Sequence, residues 1–97
     1  MDADTSVKQL KDLVMDFCDS RDWAQFHSPK DLAIGISTEA NELLALFRFK
    51  DDLQVSELLS GHYEDSQKVQ DELADTLFFI LRFAQMNNID LSEALLS

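Results

Sequence analysis

The sequence predicts an all-α fold, a bundle of three main helices plus a short C-terminal helix. Three observations carry this. Two Gly and one Pro in 97 residues leave few places to break a helix. Leu, Ala, Glu and Gln, all good helix formers, are frequent. Apolar residues recur at three- and four-residue steps along the long segments. A chain of this length reads as one domain, residues 1–97. Its core is limited in size, and small folds often gain stability by oligomerising.

Residues 1–4 read as frayed. The first helix runs from about Thr5, its expected N-cap, to Ser20. Val7, Leu10, Val14 and Phe17 form its apolar stripe, with Leu13 beside them, and Cys18 is expected to be a buried thiol. Residues 21–28, RDWAQFHS, show no clear period and read as a loop packing an aromatic cluster of Trp23, Phe26 and His27. A core plug for Trp23 and a surface or capping role for His27 are the plainer readings.

Ser28-Pro29-Lys30-Asp31 starts the second helix. Ser is a good N-cap, Pro suits the first helical position, and Asp31 resembles the far half of a capping box. This helix runs to about Phe47, with a stripe of Leu32, Ala33, Ile36, Ala40, Leu43 and Phe47. Gly35 within it costs roughly 1 kcal/mol against Ala, and it suits a close approach by a neighbouring helix.

Residues 48–63 read as a connection, with a turn at Asp51-Asp52 and one short helical turn from Val55 to Leu59. The third helix runs from Glu64 or Asp65 to Asn87, with acidic residues in its first turn to suit the helix dipole. From Leu77 to Phe83 only Arg82 interrupts an apolar run, so this helix needs cover on all sides. A two-fold homodimer that completes the bundle supplies it; a monomer wrapped by its own first helix and loop is the alternative. Asp90-x-x-Glu93 reads as a capping box for a fourth helix starting at Leu91.

The formal net charge is −11, from 19 acidic and 8 basic residues. This disfavours nucleic-acid polymers and anionic membranes as partners. No apolar run reaches the roughly 18–20 residues of a membrane span. MDADTSVKQ lacks the pattern of a secretion signal. One cysteine excludes an internal disulfide, so a cytoplasmic protein is expected.

Two acidic pairs share one spacing. Glu39 and Glu42 lie three apart on the second helix, and Glu72 and Asp75 on the third. Residues three apart share a helix face. Most such pairs are solvated surfaces. Here Glu39 falls between Ile36 and Leu43 on the apolar stripe, and Asp75 is flanked by Leu73, Leu77, Phe78 and Phe79. Inward carboxylates are costly unless their charge is compensated. Four of them suit a hard divalent cation such as Mg²⁺ (magnesium). The matching chemistry is metal-assisted phosphate hydrolysis, with a carboxylate taking a proton from water. Lys30, Arg48, Lys50 and Arg82 are the only basic residues near these motifs that could meet the phosphates of a substrate. Trp23, His27, Phe49 and Phe79 would wall a base. There is no Gly-rich phosphate loop, CxxC or zinc-spaced His pair.

The ExxE at Glu39 to Glu42 and ExxD at Glu72 to Asp75 resemble the MazG-like, all-α nucleoside triphosphate pyrophosphohydrolases. Arg21 to Lys30 is similar to the RDWxQFHxP segment of the dCTP pyrophosphatase-like branch. ELLALF followed by Phe49, and Asn-x-Ile-Asp-Leu at Asn87 to Leu91, extend the match over about Leu10 to Ser97. The resemblance implies Mg²⁺-dependent hydrolysis of a (deoxy)nucleoside triphosphate to the monophosphate and pyrophosphate, as house-cleaning of the nucleotide pool. It implies Glu39, Glu42, Glu72 and Asp75 as metal ligands, one of them a base. It implies Trp23, His27 and Phe79 as nucleotide-pocket residues, and Phe49, where relatives often have Trp, as a contact from a partner subunit. It also implies homodimers or dimers of dimers. Thr38 stands where the wider family has Glu, and Phe79 where many relatives have Tyr. A non-catalytic helical oligomerisation or antitoxin-like binding module is the alternative function, and a phosphoribosyl-ATP type substrate the alternative within the fold.

Overall fold

A computed structural model of the chain describes residues 1–61 and 64–97. Among these, every regular element is helical: α1 (Val7–Asp19), a 3₁₀ turn (Ala24–Phe26), α2 (Pro29–Phe47), α3 (Asp52–Leu59), α4 (Ser66–Met86) and α5 (Leu91–Leu96). The all-α expectation therefore holds. α2 and α4 form the principal packed pair, α1 lies on α4, and α3 touches α4 more lightly.

Local sequence chemistry sets the helix ends, in places not where the period suggested. Ser6, not Thr5, caps α1: its Oγ accepts the Gln9 N–H at 3.0 Å, and Gln9 Oε1 accepts the Ser6 N–H at 2.7 Å. Thr5 has Lys8 three residues on, which cannot return such a bond. Ser28 caps α2 through the Asp31 N–H at 3.1 Å. Asp31 spends its carboxylate on the Ser28 hydroxyl at 2.8 Å, so only half of the box forms. The connection contains a full helix, α3. Asp51 is its N-cap, in a reciprocal box with Gln54 at 2.8 and 2.9 Å, where a turn was expected. The last two residues of that connection, His62 and Tyr63, lie outside the described residues. Glu64 and Asp65 precede α4 instead of filling its first turn, and Asp65 pairs with Lys68 at 3.0 Å. Asp90 Oδ1 caps α5 by accepting the Glu93 N–H at 2.8 Å.

The core centres on Val14, Cys18 and Leu81, with Val7, Leu10, Trp23, Phe78 and Leu91 packed against it. The α1 stripe ends on fully buried Cys18, while Phe17 stays at the edge. On α2 Leu32 is buried and Ile36, Glu39, Leu43, Leu46 and Phe47 are half-buried; Ala33 and Ala40, read as part of the stripe, face out. Gly35 explains how closely α2 meets α4. A Cβ there would lie 2.6 Å from the Phe79 ring, closer than real Cβ atoms approach, so the hydrogen side chain makes the contact possible.

Two features of α4 matter for function. Arg82, which seemed to interrupt the apolar run, is among the most buried side chains, at 1% exposed. Leu73 and Leu77 remain exposed, as do Ile34 and Leu44 on α2. No helix among the described residues is long and apolar enough to cross a membrane.

Candidate active site

The α2–α4 pairing draws together carboxylates from both helices. One carboxylate oxygen each from Glu39, Glu72 and Asp75 lies within 4.8 Å of the others. Glu72 and Asp75 share a face of α4 by their three-residue spacing. Glu39 arrives from α2 one turn after Gly35, the residue that lets the helices close.

The electrostatics of this cluster are strained. Glu39 Oε2 and Glu72 Oε2 are buried without a hydrogen-bond partner, a state native structures seldom leave uncompensated. The adjacent Glu72 carboxylate, which favours a proton held between the two groups, then desolvation, then the neighbouring Glu42 carboxylate push the Glu39 carboxyl up to about 7. Glu42 thus adds its charge beside Glu39, although it is exposed and outside the three-oxygen group. An all-oxygen set of this kind can hold a hard divalent cation. Charge from such an ion would relieve the repulsion and occupy the orphaned oxygens.

Beside the carboxylates opens a cleft of about 290 Å³, lined by Phe17, Trp23, Glu39, Asp75, Phe78 and Phe79. Its aromatic side is continuous. Trp23 and Phe17 rings stand 5.5 Å apart, Phe17 and Phe78 5.9 Å, and Phe78 and Phe79 5.5 Å, all edge to face. A larger hollow of about 610 Å³ lies between the start of α1 and the α4–α5 turn. Its charges are already engaged: Lys8 meets Asp12 at 2.8 Å, and Lys11 bonds the Ile89 carbonyl. The smaller cleft is the better candidate, because there free carboxylates and aromatic faces converge.

The structure distributes the remaining candidates widely. Trp23 and Phe79 line the cleft with Glu39 and Asp75. His27 does not; its ring stands 6.2 Å from Trp23, and its Nδ1 accepts a hydrogen bond from Arg82 Nε at 3.0 Å. Burial first, and the Arg82 charge next, lower the His27 pKa. Lys30 is exposed on the first turn of α2, and Phe49 is 90% exposed just past its end, beneath the Arg48 guanidinium at 4.7 Å. Of the four cations expected near phosphate, Arg82 is sealed inside.

Sequence reasoning did not single out two residues that line the cleft, nor a third that lies against one of them. Phe17 was read as core stripe, and Phe78 sits in a run apolar at every position, where period cannot separate wall from core. Arg21 lies over the Phe17 ring at 3.5 Å and so brings a cation to the aromatic wall. Its signal was the four-residue step from Phe17.

Known proteins place this geometry in a family. No family model matches the chain. Among curated proteins, dCTP pyrophosphatase 1 of Rattus norvegicus is 29% identical over 92 residues, and that of Homo sapiens 30% over 92; each match covers 95% of this chain and 54% of the relative. The Bos taurus protein of the same name is 30% identical over 94 residues. The chain therefore spans about half the length of the curated relatives it matches. A crystal structure of a pyrophosphatase from Archaeoglobus fulgidus superposes with a TM-score of 0.81 at 34% identity, covering 91% of this chain and 80% of that one. With identity at that level across most of both chains, and the same helical architecture, the chain belongs to the MazG-like pyrophosphatases and is similar to the dCTP pyrophosphatase 1 proteins.

Proposed function

We propose that the chain catalyses Mg²⁺-dependent hydrolysis of a (deoxy)nucleoside triphosphate to the monophosphate and pyrophosphate, as house-cleaning of the nucleotide pool in the cytoplasm. The observation that carries this is the meeting of strained, partnerless carboxylates with an aromatic-walled cleft. The curated relatives named dCTP pyrophosphatase 1 support the same reading.

Glu39, Glu42, Glu72 and Asp75 are the residues that would hold Mg²⁺. When bound, the ion supplies positive charge against the triphosphate and makes water easier to deprotonate. Without such a cation, an acidic cluster in a chain of net charge −11 would repel the substrate. A carboxylate of the cluster takes the proton of the attacking water. Trp23, Phe17, Phe78 and Phe79 stack the base and exclude water from its faces. Arg21, over the Phe17 ring, adds positive charge beside that wall.

His27, Lys30 and Phe49 lie outside the cleft in one chain. A homodimer, or a dimer of dimers, accounts for Phe49, which is exposed and available to the nucleotide held by a second copy. The uncovered Ile34, Leu44, Leu73 and Leu77 give such an assembly apolar surface to bury.

The test is a panel of deoxy- and ribonucleoside triphosphates with Mg²⁺ and product identification. Pyrophosphate and a monophosphate in equal amounts are expected, with a pyrimidine deoxynucleotide preferred. The exposed apolar residues also fit a non-catalytic oligomerisation or antitoxin-like module. Turnover of no nucleotide, together with self-association in sedimentation, would select that reading.

A further inference from the structure

Arg82 is 1% exposed, yet none of the ion pairs among the described residues involves it. Its Nε donates to His27 Nδ1 at 3.0 Å, and its Nη1 to Gln85 Oε1 at 2.7 Å. A buried cation with only neutral partners is costly, and an apolar side chain of similar volume often fills such a place at no loss of stability. What Arg supplies that an apolar residue does not is a rigid planar fork of donors.

That fork reaches a segment 55 residues away in sequence. The other hydrogen bonds of the α1–α2 loop are local: Trp23 N–H to the Cys18 carbonyl, His27 N–H to the Ala24 carbonyl, and Gln25 to Asp22. Among the described residues, Arg82 to His27 is the hydrogen bond that ties this loop to α4, beside the apolar packing of Trp23 on the core cluster that includes Leu81. Since Nδ1 accepts, neutral His27 carries its proton on Nε2. The His27 ring then meets Trp23 edge to face, and Trp23 meets Phe17 in the cleft wall.

We propose that Arg82 is a positioning residue for the nucleotide pocket: it locks His27 in one tautomer and orientation, and through that ring sets Trp23 as an aromatic wall. This rests on the reading of the cleft as a nucleotide pocket. Arg82 itself touches no substrate.

The test uses the full chain with Arg82→Met, which keeps the apolar stem and removes the donors, and Arg82→Lys, which restores one donor. Trp23 is the sole tryptophan, so acrylamide quenching of intrinsic fluorescence reports the loop directly. Arg82→Met raises KM for the preferred Mg²⁺–nucleotide about three- to tenfold while kcat stays within about twofold. Quenching of Trp23 rises in parallel, and Arg82→Lys recovers part of both. In a His27→Phe background, Arg82→Met adds nothing, because its route runs through the imidazole. Unchanged KM and quenching in a folded Arg82→Met overturn the proposal. If that variant does not fold, His27→Phe alone decides: it removes the acceptor and keeps a ring, and wild-type quenching in it overturns the proposal equally. If the wild type hydrolyses no nucleotide, the pocket reading fails, whereas the quenching arm still settles the tie between Arg82 and Trp23.

Discussion

Replacing Glu39 by Gln removes one negative charge from the carboxylate cluster and keeps the side chain's shape. In the folded chain the Glu39 carboxyl titrates at about 7, against an ordinary 4.5. Fully felt, that displacement corresponds to ~3 kcal/mol. Glu39 is only half-buried, so screening leaves about 1–2 kcal/mol. The sign follows from the raised value. The folded state binds more protons than the unfolded one between pH 4.5 and about 7, so the metal-free protein loses stability as pH rises through that window. At pH 8 metal-free Glu39→Gln is therefore the more stable protein, melting about 4–16 °C higher, given roughly 4–8 °C per kcal/mol in a chain of this size. At pH 4 the two melt together. Mg²⁺ reverses the order, because it binds the folded wild type and holds the variant weakly. Thermal melts at both pH values, with EDTA and with Mg²⁺, give the comparison. A Glu39→Gln protein less stable than wild type at pH 8 without metal would refute the strained-cluster argument.

Other substitutions probe the same geometry. Glu42→Gln and Asp75→Asn abolish turnover and weaken Mg²⁺ binding in calorimetry while the fold persists; normal turnover in Glu42→Gln removes that residue from the site. Gly35→Ala gains about 1 kcal/mol of helix propensity but forces Phe79 aside at an overpacking cost of about 1–3 kcal/mol. A lowered Tm and raised KM are expected, and a simple rise in Tm with unchanged KM contradicts the close approach. The lowered His27 pKa has the opposite consequence to Glu39: the neutral form is favoured in the fold, so its contribution is present above about 6.5 and is lost as pH falls below that. The wild-type minus His27→Asn difference in Tm therefore shrinks or changes sign between pH 7 and pH 5; a difference independent of pH sinks this assignment.

Much of the fold was legible because its information is local. Ser28-Pro29 announced α2, Asp90 announced α5, and the period placed Val14 and Leu32 inward. The errors are also local and have physical causes. The Ser6–Gln9 and Asp51–Gln54 boxes were written in the sequence, but the apolar period drew the first helix start to Thr5 and shrank α3 to one turn. Arg82 was counted among the cations available to phosphate because a charged residue is expected at a polar surface, yet it is buried. Its burial is made tolerable by Gln85 one turn on and by His27, a partner 55 residues away that no local pattern reveals.

By itself, the sequence determined helices, their approximate order, an acidic surface, and two carboxylate pairs each confined to one helix face. Helical period and capping act over a few residues, so one chain read linearly reveals them. The tertiary structure decided that Glu39, Glu72 and Asp75 share one point, that Phe17 and Phe78 join the wall, and that His27 turns toward Arg82. Those outcomes depend on how closely α2 crosses α4 at Gly35 and where the aromatic loop lands. Both are properties of packing between distant segments, which no local pattern encodes.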